Sequence, residues 1–263
     1  MFLNEIKQVF KSSRNYFSNA NQKKIYLYFM KKELILKLLV LCFVIEIIGE
    51  LISALYDVPY LVFIFKPFLM PLLAYWYIKS TTKPSKILLY ALFFSWFGDV
   101  FLMFVAVNPN FFLAGLVSFL TTHLLYIVIF VKNIDTSKKS ILKRRPQFIL
   151  LFVLYGLSLL AFLNQTAHPA FLPMKIPVAV YATVIMLMVV TAIGRFERVN
   201  QKSFSLVLVG ALLFMFSDTF IALNKFTYIL ENQAYAARIF IMLMYVLGQY
   251  LIVKGLLEQE AEN

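Results

Sequence analysis

The sequence predicts an all-α fold, a polytopic membrane protein with eight transmembrane helices. Of its 263 residues, 62% are apolar, 17% are aromatic and only 14% are charged. Apolar stretches of about 20 residues, the length that crosses a bilayer, recur along the chain with short polar breaks between them. This composition excludes a soluble domain. The net charge of +12 is therefore interpreted as a signal of membrane topology and not of a nucleic-acid partner.

The predicted helices are separated by segments that contain Pro, Asn or Asp. These residues interrupt helices, and outside the bilayer water can satisfy the backbone groups that they free. The predicted spans are 34–55, 60–79, 86–107, 111–131, 147–164, 174–193, 204–224 and 235–256. Together they make a transmembrane domain over residues 33–257.

Lysine and arginine predict a multi-pass protein of the cell membrane with both termini in the cytoplasm. If the N-terminus is inside, twenty of them fall on the cytoplasmic side of the spans, and only Lys175, Lys225 and Arg238 fall on the other side. Residues 1–32 form a basic cytoplasmic segment, either an amphipathic helix on the anionic leaflet or a disordered tail. Residues 258–263 form a short cytoplasmic tail.

Two carboxylates lie inside apolar spans, although an ionised Asp at mid-membrane costs roughly 2.5–3.5 kcal/mol on insertion scales. Asp99 and Asp218 share one local pattern: Phe, a small residue, Asp, any residue, Phe, an aliphatic residue. Both are predicted to lie roughly 20 Å from the cytoplasmic side. Each could simply pair with a basic residue and hold helices together, but two at the same depth favour a catalytic pair.

A tyrosine follows each aspartate at the same distance along the chain. Counting 27 residues on from Asp99 gives Tyr126, and 27 on from Asp218 gives Tyr245. This spacing suggests a duplicated four-helix unit whose halves have the same orientation.

Other polar residues inside or near the ends of the spans are candidates for substrate binding. Each also has a simpler explanation, such as snorkelling of a long basic side chain to the interface or a hydrogen-bonded packing residue. The candidates are Lys66, His123, Tyr126, Asn224, Lys225, Arg238, Tyr245 and Gln249. A single cysteine and two histidines cannot build a His-rich zinc site, so no metal and no cofactor are predicted.

Several short motifs follow one another along about residues 34–256. They are Lys66-Pro67, Gly98-Asp99, the run Gly115 to Tyr126 with His123, Gly210 to Phe214 leading into Ser217-Asp218, Asn224-Lys225-Phe226, and Tyr245 with Gln249 to Ile252. In this order they resemble the motifs of the YhhN family of integral membrane lysoplasmalogenases. The resemblance implies a hydrolase that cleaves the vinyl ether bond of lysoplasmalogen-type lysophospholipids to a fatty aldehyde and a glycerophospho-headgroup. It also implies that Asp99 and Asp218 are the essential residues.

Two other functions fit the same residues. Paired intramembrane carboxylates, a repeat and prolines within spans are also typical of a proton-coupled transporter of a lipid or small amphiphile. A lipid-binding or scaffold protein without catalytic activity is the third possibility, but it leaves two carboxylates at one depth unexplained. Release of aldehyde from a lysoplasmalogen separates the hydrolase from both.

Overall fold

A computed structural model describes residues 33–45, 47–49, 62–132, 134–166, 169–229 and 234–260, together with positions 30 and 52. Residues 33–45 and 47–49, within the first predicted span, are helical. The helices that follow are α1 (Val62–Ile78), α2 (Lys86–Met103), α3 (Asn110–Lys132), α4 (Ile141–Arg144), α5 (Gln147–Thr166), α6 (Lys175–Ile193), α7 (Gln201–Phe226) and α8 (Ala234–Glu260). A 3₁₀ helix, Pro169–Met174, leads into α6. The prediction of an all-helical protein is confirmed over the described residues.

Six helical segments in the described part of the chain are long and apolar enough to cross a membrane. They are Lys86–Met103, Asn110–Lys132, Gln147–Thr166, Phe171–Ile193, Gln201–Phe226 and Ala236–Glu260. These six correspond to the last six predicted spans. The span predicted at 34–55 lies partly outside the described residues, and the span predicted at 60–79 contains the 17-residue α1.

Helix α2 ends at Met103, four residues before the predicted end of this span at 107. Local hydrogen bonds explain the earlier stop. The Phe104 carbonyl accepts from both Val107 and Asn108, which closes a turn. The Asn108 side chain then accepts from the Asn110 backbone N–H at 2.9 Å and begins α3. A proline at position 109 disfavours helical backbone at Asn108, so the apolar residues after Met103 cannot continue the helix.

Helix α1 contains two prolines, and a neighbouring helix supplies the hydrogen bond that one of them cannot donate. Pro71 has no N–H to donate to the carbonyl of Pro67, one helical turn before it. The indole Nε1 of Trp96 on α2 donates to that carbonyl at 2.9 Å. The free carbonyl thus helps to bind α1 to α2.

The helices alternate in direction, and their basic connections meet at one end of the bundle. Tyr77 at the end of α1 donates to Glu260 at the end of α8, and Arg144 pairs with Glu197. We call this end the basic end and the opposite one the far end. At the far end, Phe226 packs edge-to-face on Phe112, with 5.5 Å between ring centroids.

Arg195 is fully buried at the basic end. Its Nη2 donates to Ser203 at 2.8 Å and to Gln259 at 2.9 Å, and its guanidinium lies over the ring of Phe130 at 5.6 Å. Burial lowers the pKa of Arg195 to about 10, so it stays protonated at neutral pH. Helices α3, α6 and α8 all end near it, and the negative ends of their dipoles favour a cation there.

Neighbouring helices form a closed ring in the order α1, α2, α3, α6, α7, α8 and back to α1. Helix α5 packs on α6 from outside this ring. Ile35 and Leu39 of the N-terminal helical segment are buried in the same apolar core. Side chains from six helices meet at the centre of this ring, and the candidate functional site lies there.

Glycines let the backbones of α7 and α8 touch. A Cβ built on Gly210 would lie 2.7 Å from the carbonyl oxygen of Gly248 and 2.8 Å from the backbone nitrogen of Ile252. Small residues at helix contacts are the usual means of close approach in membranes. Only glycine fits at position 210 without moving α8.

We therefore expect Gly210→Ala to destabilise the protein by about 1–3 kcal/mol, the usual cost of overpacking. The melting temperature in detergent measures the change. Gly156→Ala is the matched control, because a Cβ there meets only the flexible end of Met186. Equal melting temperatures for the two variants would contradict the close backbone contact.

Candidate active site

Asp99 lies on α2 in the centre of the ring and is only 3% exposed. The hydroxyl of Tyr245, on α8, donates to its Oδ2 at 2.8 Å. Lys66 on α1 and Asp218 on α7 lie close enough for their charges to act on it. The structure thus brings together the two aspartates, Lys66 and Tyr245, all of which are candidates from the sequence.

Asp218 lies on α7 and takes its partners from two other helices. The hydroxyl of Tyr181, on α6, donates to Asp218 Oδ2 at 2.5 Å. Nε2 of His123, on α3, lies 3.0 Å from the same oxygen and 2.9 Å from the Tyr181 hydroxyl. These three side chains form a closed triangle of polar atoms in an otherwise apolar region.

Tyr181 is not among the residues that sequence reasoning selected, and depth is the signal that could have found it. Tyr181 is six residues after the start of α6 at the far end, and Asp218 is eight residues before the end of α7 there. At 1.5 Å per residue these positions are about 9 and 12 Å from the far end. The two residues are therefore nearly level along their helices.

Aromatic rings pack against the polar partners of the two aspartates. Phe214 packs against both His123 and Tyr245, with centroid distances of 4.6 and 5.3 Å. Phe119 packs on Tyr245 at 5.7 Å, and the missing side chain of Gly98 makes room for the Phe119 ring. These rings fix Tyr245 and His123 in position and surround them with apolar groups, which strengthens the electrostatic interactions nearby.

A second polar cluster lies one turn closer to the basic end. The Tyr126 hydroxyl donates to Gln249 Oε1. Gln249 Nε2 donates to Ser95 at 2.7 Å, and the Ser95 hydroxyl lies 3.2 Å from Thr122. Tyr126 and Gln249 are fully buried, and their polar atoms are satisfied by each other and by Ser95. This geometry gives them a structural role beside the predicted role in substrate binding.

A cleft of about 420 Å³, counting its open mouth, leads from the far end to Asp218. We call it the far-end cleft. Phe112 and Phe226 line its outer part, and Tyr181 and Asp218 line its inner part. Lys225 Nζ lies 5.4 Å above the Phe112 ring, so a cation is present at the mouth.

The remaining predicted binding residues lie toward the far end. Asn224 and Arg238 are half-buried, and Lys225 is exposed. Arg238 lies on α8 two turns before Tyr245. Within the described ranges, no group of three or more His, Cys, Asp or Glu residues comes together to hold a metal ion.

A ring of apolar helices around two buried carboxylates defines a polytopic membrane protein with an acidic site inside the bundle. The model of the YhhN family matches residues 61–256. The chain therefore belongs to the YhhN family, which confirms the resemblance seen in the sequence. No curated protein and no solved structure matches it.

The second polar cluster gives a prediction for stability. Gln249→Met would leave the Tyr126 hydroxyl buried without its acceptor, at a cost of about 1–3 kcal/mol. Tyr126→Phe removes that hydroxyl, so Gln249→Met combined with Tyr126→Phe should cost less than the sum of the single changes. Melting temperatures of the three variants in detergent test this. Strict additivity would contradict a direct bond between the two side chains.

Proposed function

We propose that this protein is a membrane hydrolase that cleaves the vinyl ether bond of lysoplasmalogen-type lysophospholipids. The observation that carries the proposal is the pair Asp99 and Asp218: two buried carboxylates within electrostatic range of each other, each holding a tyrosine hydroxyl, with Asp218 on the wall of an apolar cleft. Membership of the YhhN family supports it. Water is the second substrate, and no cofactor is required.

The chemistry needs an acid and a base in one apolar site. A proton is first added to the vinyl carbon β to the ether oxygen, which leaves an oxocarbenium ion. Water then attacks the carbon bonded to oxygen, loses a proton to a base and gives a hemiacetal. The hemiacetal breaks its C–O bond to the glycerol, and the products are a fatty aldehyde and a glycerophospho-alcohol. Paired carboxylates serve glycosidases in a comparable way.

The environments of the two aspartates differ, and this difference suits a site that needs both an acid and a base. Asp218 lines the far-end cleft, so we propose that it meets the substrate directly. Asp99 is more deeply buried, and the charge of Lys66 acts on it.

The polar groups near the far end suit a phosphate. Lys225 at the mouth would hold the headgroup at the membrane interface, together with Asn224 and Arg238, which also lie toward the far end of their helices. The ether bond would then lie deeper in the far-end cleft, next to Asp218. Arginine binds phosphate through two parallel hydrogen bonds, which makes Arg238 the second anchor in this proposal.

Substitution of either aspartate tests the catalytic assignment. Asn has nearly the same shape as Asp but cannot donate or accept the required proton. We expect Asp99→Asn and Asp218→Asn to lower the rate of aldehyde release by about 10²–10⁴-fold, the usual contribution of a general acid or base. The assay uses detergent-purified protein and a lysoplasmalogen. Asp135→Asn is the control, because Asp135 lies in an exposed loop.

Two results would count against the proposal. If a variant keeps most of its activity and its melting temperature, the substituted aspartate has no part in the mechanism. If the unaltered protein releases no aldehyde but moves a lysophospholipid across a vesicle membrane in response to a proton gradient, the transporter is the correct function.

We also propose that the transmembrane domain of residues 33–257 contains eight spans, with the N-terminal helical segment and α1 as the first two, and that it arose from a duplicated four-helix unit. The closed ring supports this, since α1 is one of its six members. The basic connections between helices lie together at the basic end, and this supports a cytoplasmic location for that end.

Reporter fusions test the orientation. A reporter that is active only in the cytoplasm should work when fused after Glu258 or within residues 137–142, and it should be silent within residues 165–170. The expected contrast follows from the placement of 137–142 at the basic end. Cytoplasmic activity at 165–170 would overturn the eight-span topology.

A further inference from the structure

We propose that a groove between α5, α6 and α7 holds the aliphatic chain of the substrate, and that Gly156 and Met186 set the chain length it accepts. We call it the chain groove. This inference rests on the proposed function, because it assigns a second subsite to the same lipid. The groove contains about 380 Å³ of space, a figure that includes the open space along its side, and most of the residues that line it are apolar.

The chain groove is continuous with the far-end cleft. Val178, Tyr181, Asp218 and Ala222 line both of them. From Asp218 the far-end cleft extends toward Phe226, whereas the chain groove extends along α6 and α7 toward the basic end. The two therefore form one path with Asp218 between them.

The order of chemical groups along this path matches a single-chain phospholipid. The mouth presents the ammonium of Lys225, the middle presents Tyr181 and Asp218, and the inner part is lined by aliphatic and thioether groups. The inner residues are Leu159, Ile185, Met186 and Met215. In such a lipid, a charged headgroup, a reactive ether and an alkyl chain follow one another in the same order.

Helix α5 covers the groove from outside the ring. The hydroxyl of Tyr155, on α5, lies 2.8 Å from the hydroxyl of Thr219, on α7, and both side chains line the groove. This hydrogen bond connects α5 to the ring beside the path. It favours one narrow chain over the two chains of a bilayer phospholipid.

Gly156 is the position where the groove can be narrowed without moving the backbone. It is buried on α5 and faces Met186 on α6. A Cβ at this position would meet only the Sδ and Cε atoms of Met186, which are the flexible end of that side chain. A larger residue at 156 therefore pushes itself and Met186 into the path of the chain.

The test compares kcat/KM for lysoplasmalogens with short, medium and long alkenyl chains. We expect Gly156→Leu to lower kcat/KM for the longest chain about tenfold relative to the shortest, a change within the range known for hydrophobic pockets. Met186→Ala widens the groove and should shift the preference toward longer chains. Ser158→Leu is the matched control, because it adds the same side chain on the exposed face of α5 and should leave the ratio unchanged.

A second readout separates this inference from the proposed function. Lysophospholipids with saturated ether chains of the same lengths cannot be hydrolysed by protonation, and their binding is followed by the rise in melting temperature. If the unaltered protein releases no aldehyde from any substrate, the proposed function fails, while the binding series still decides the groove. Loss of long-chain stabilisation in Gly156→Leu but not in Ser158→Leu supports the groove. An equal effect of Gly156→Leu at every chain length, or stabilisation by none of these ethers, overturns it.

Discussion

The central constraint on this fold is that polar side chains inside a bilayer must satisfy one another, because no water is present to do so. Two hydrogen bonds one turn apart connect α2 to α8: Tyr245 with Asp99, and Gln249 with Ser95. A third connection joins α3, α6 and α7 at Asp218. The helix ring therefore closes around these contacts, and the candidate active site is also the place where helices far apart in sequence are held together.

This double role explains the composition of the surroundings. Each carboxylate is costly to bury, and each receives a hydroxyl donor that offsets part of the cost. Phe119 and Phe214 pack on one another and on Tyr245 between these pairs. Glycines at the helix contacts then allow the ring to be tight enough for side chains on α2 to meet those on α8. The packing and the proposed chemistry depend on the same few residues.

Much of this arrangement could be predicted from the sequence. Bilayer thickness couples helix length to the length of an apolar stretch, so the hydropathy pattern locates the six described spanning helices closely. The ends of α2 and α8 differ from the prediction by four residues each: Asn108 accepts from the first N–H of the next helix within an apolar stretch, and α8 extends to Glu260. Depth along a helix is also readable from residue counting, which is why the sequence predicts Asp99 and Asp218 at the same level.

Lateral neighbours cannot be predicted in this way. Hydropathy contains no information on which helices are adjacent in the ring, or on which face of each helix is turned to its centre. Hence the sequence does not predict the contact of His123 with Asp218, although both residues are candidates for the site. Tyr181 is not selected at all, since a single tyrosine within a span is common at membrane interfaces and has no motif around it.

The equal spacing of each aspartate and its following tyrosine suggests symmetry, but the contacts are not symmetric. Tyr245, which follows Asp218, donates to Asp99. A symmetric arrangement would have Tyr126, which follows Asp99, donate to Asp218. Instead Tyr126 donates to Gln249, and Asp218 takes Tyr181 and His123. Two carboxylates in equal surroundings would compete for the same proton, whereas unequal surroundings separate an acid from a base. The departure from symmetry is thus the feature of this site that best suits a reaction in which one group gives a proton and the other receives one.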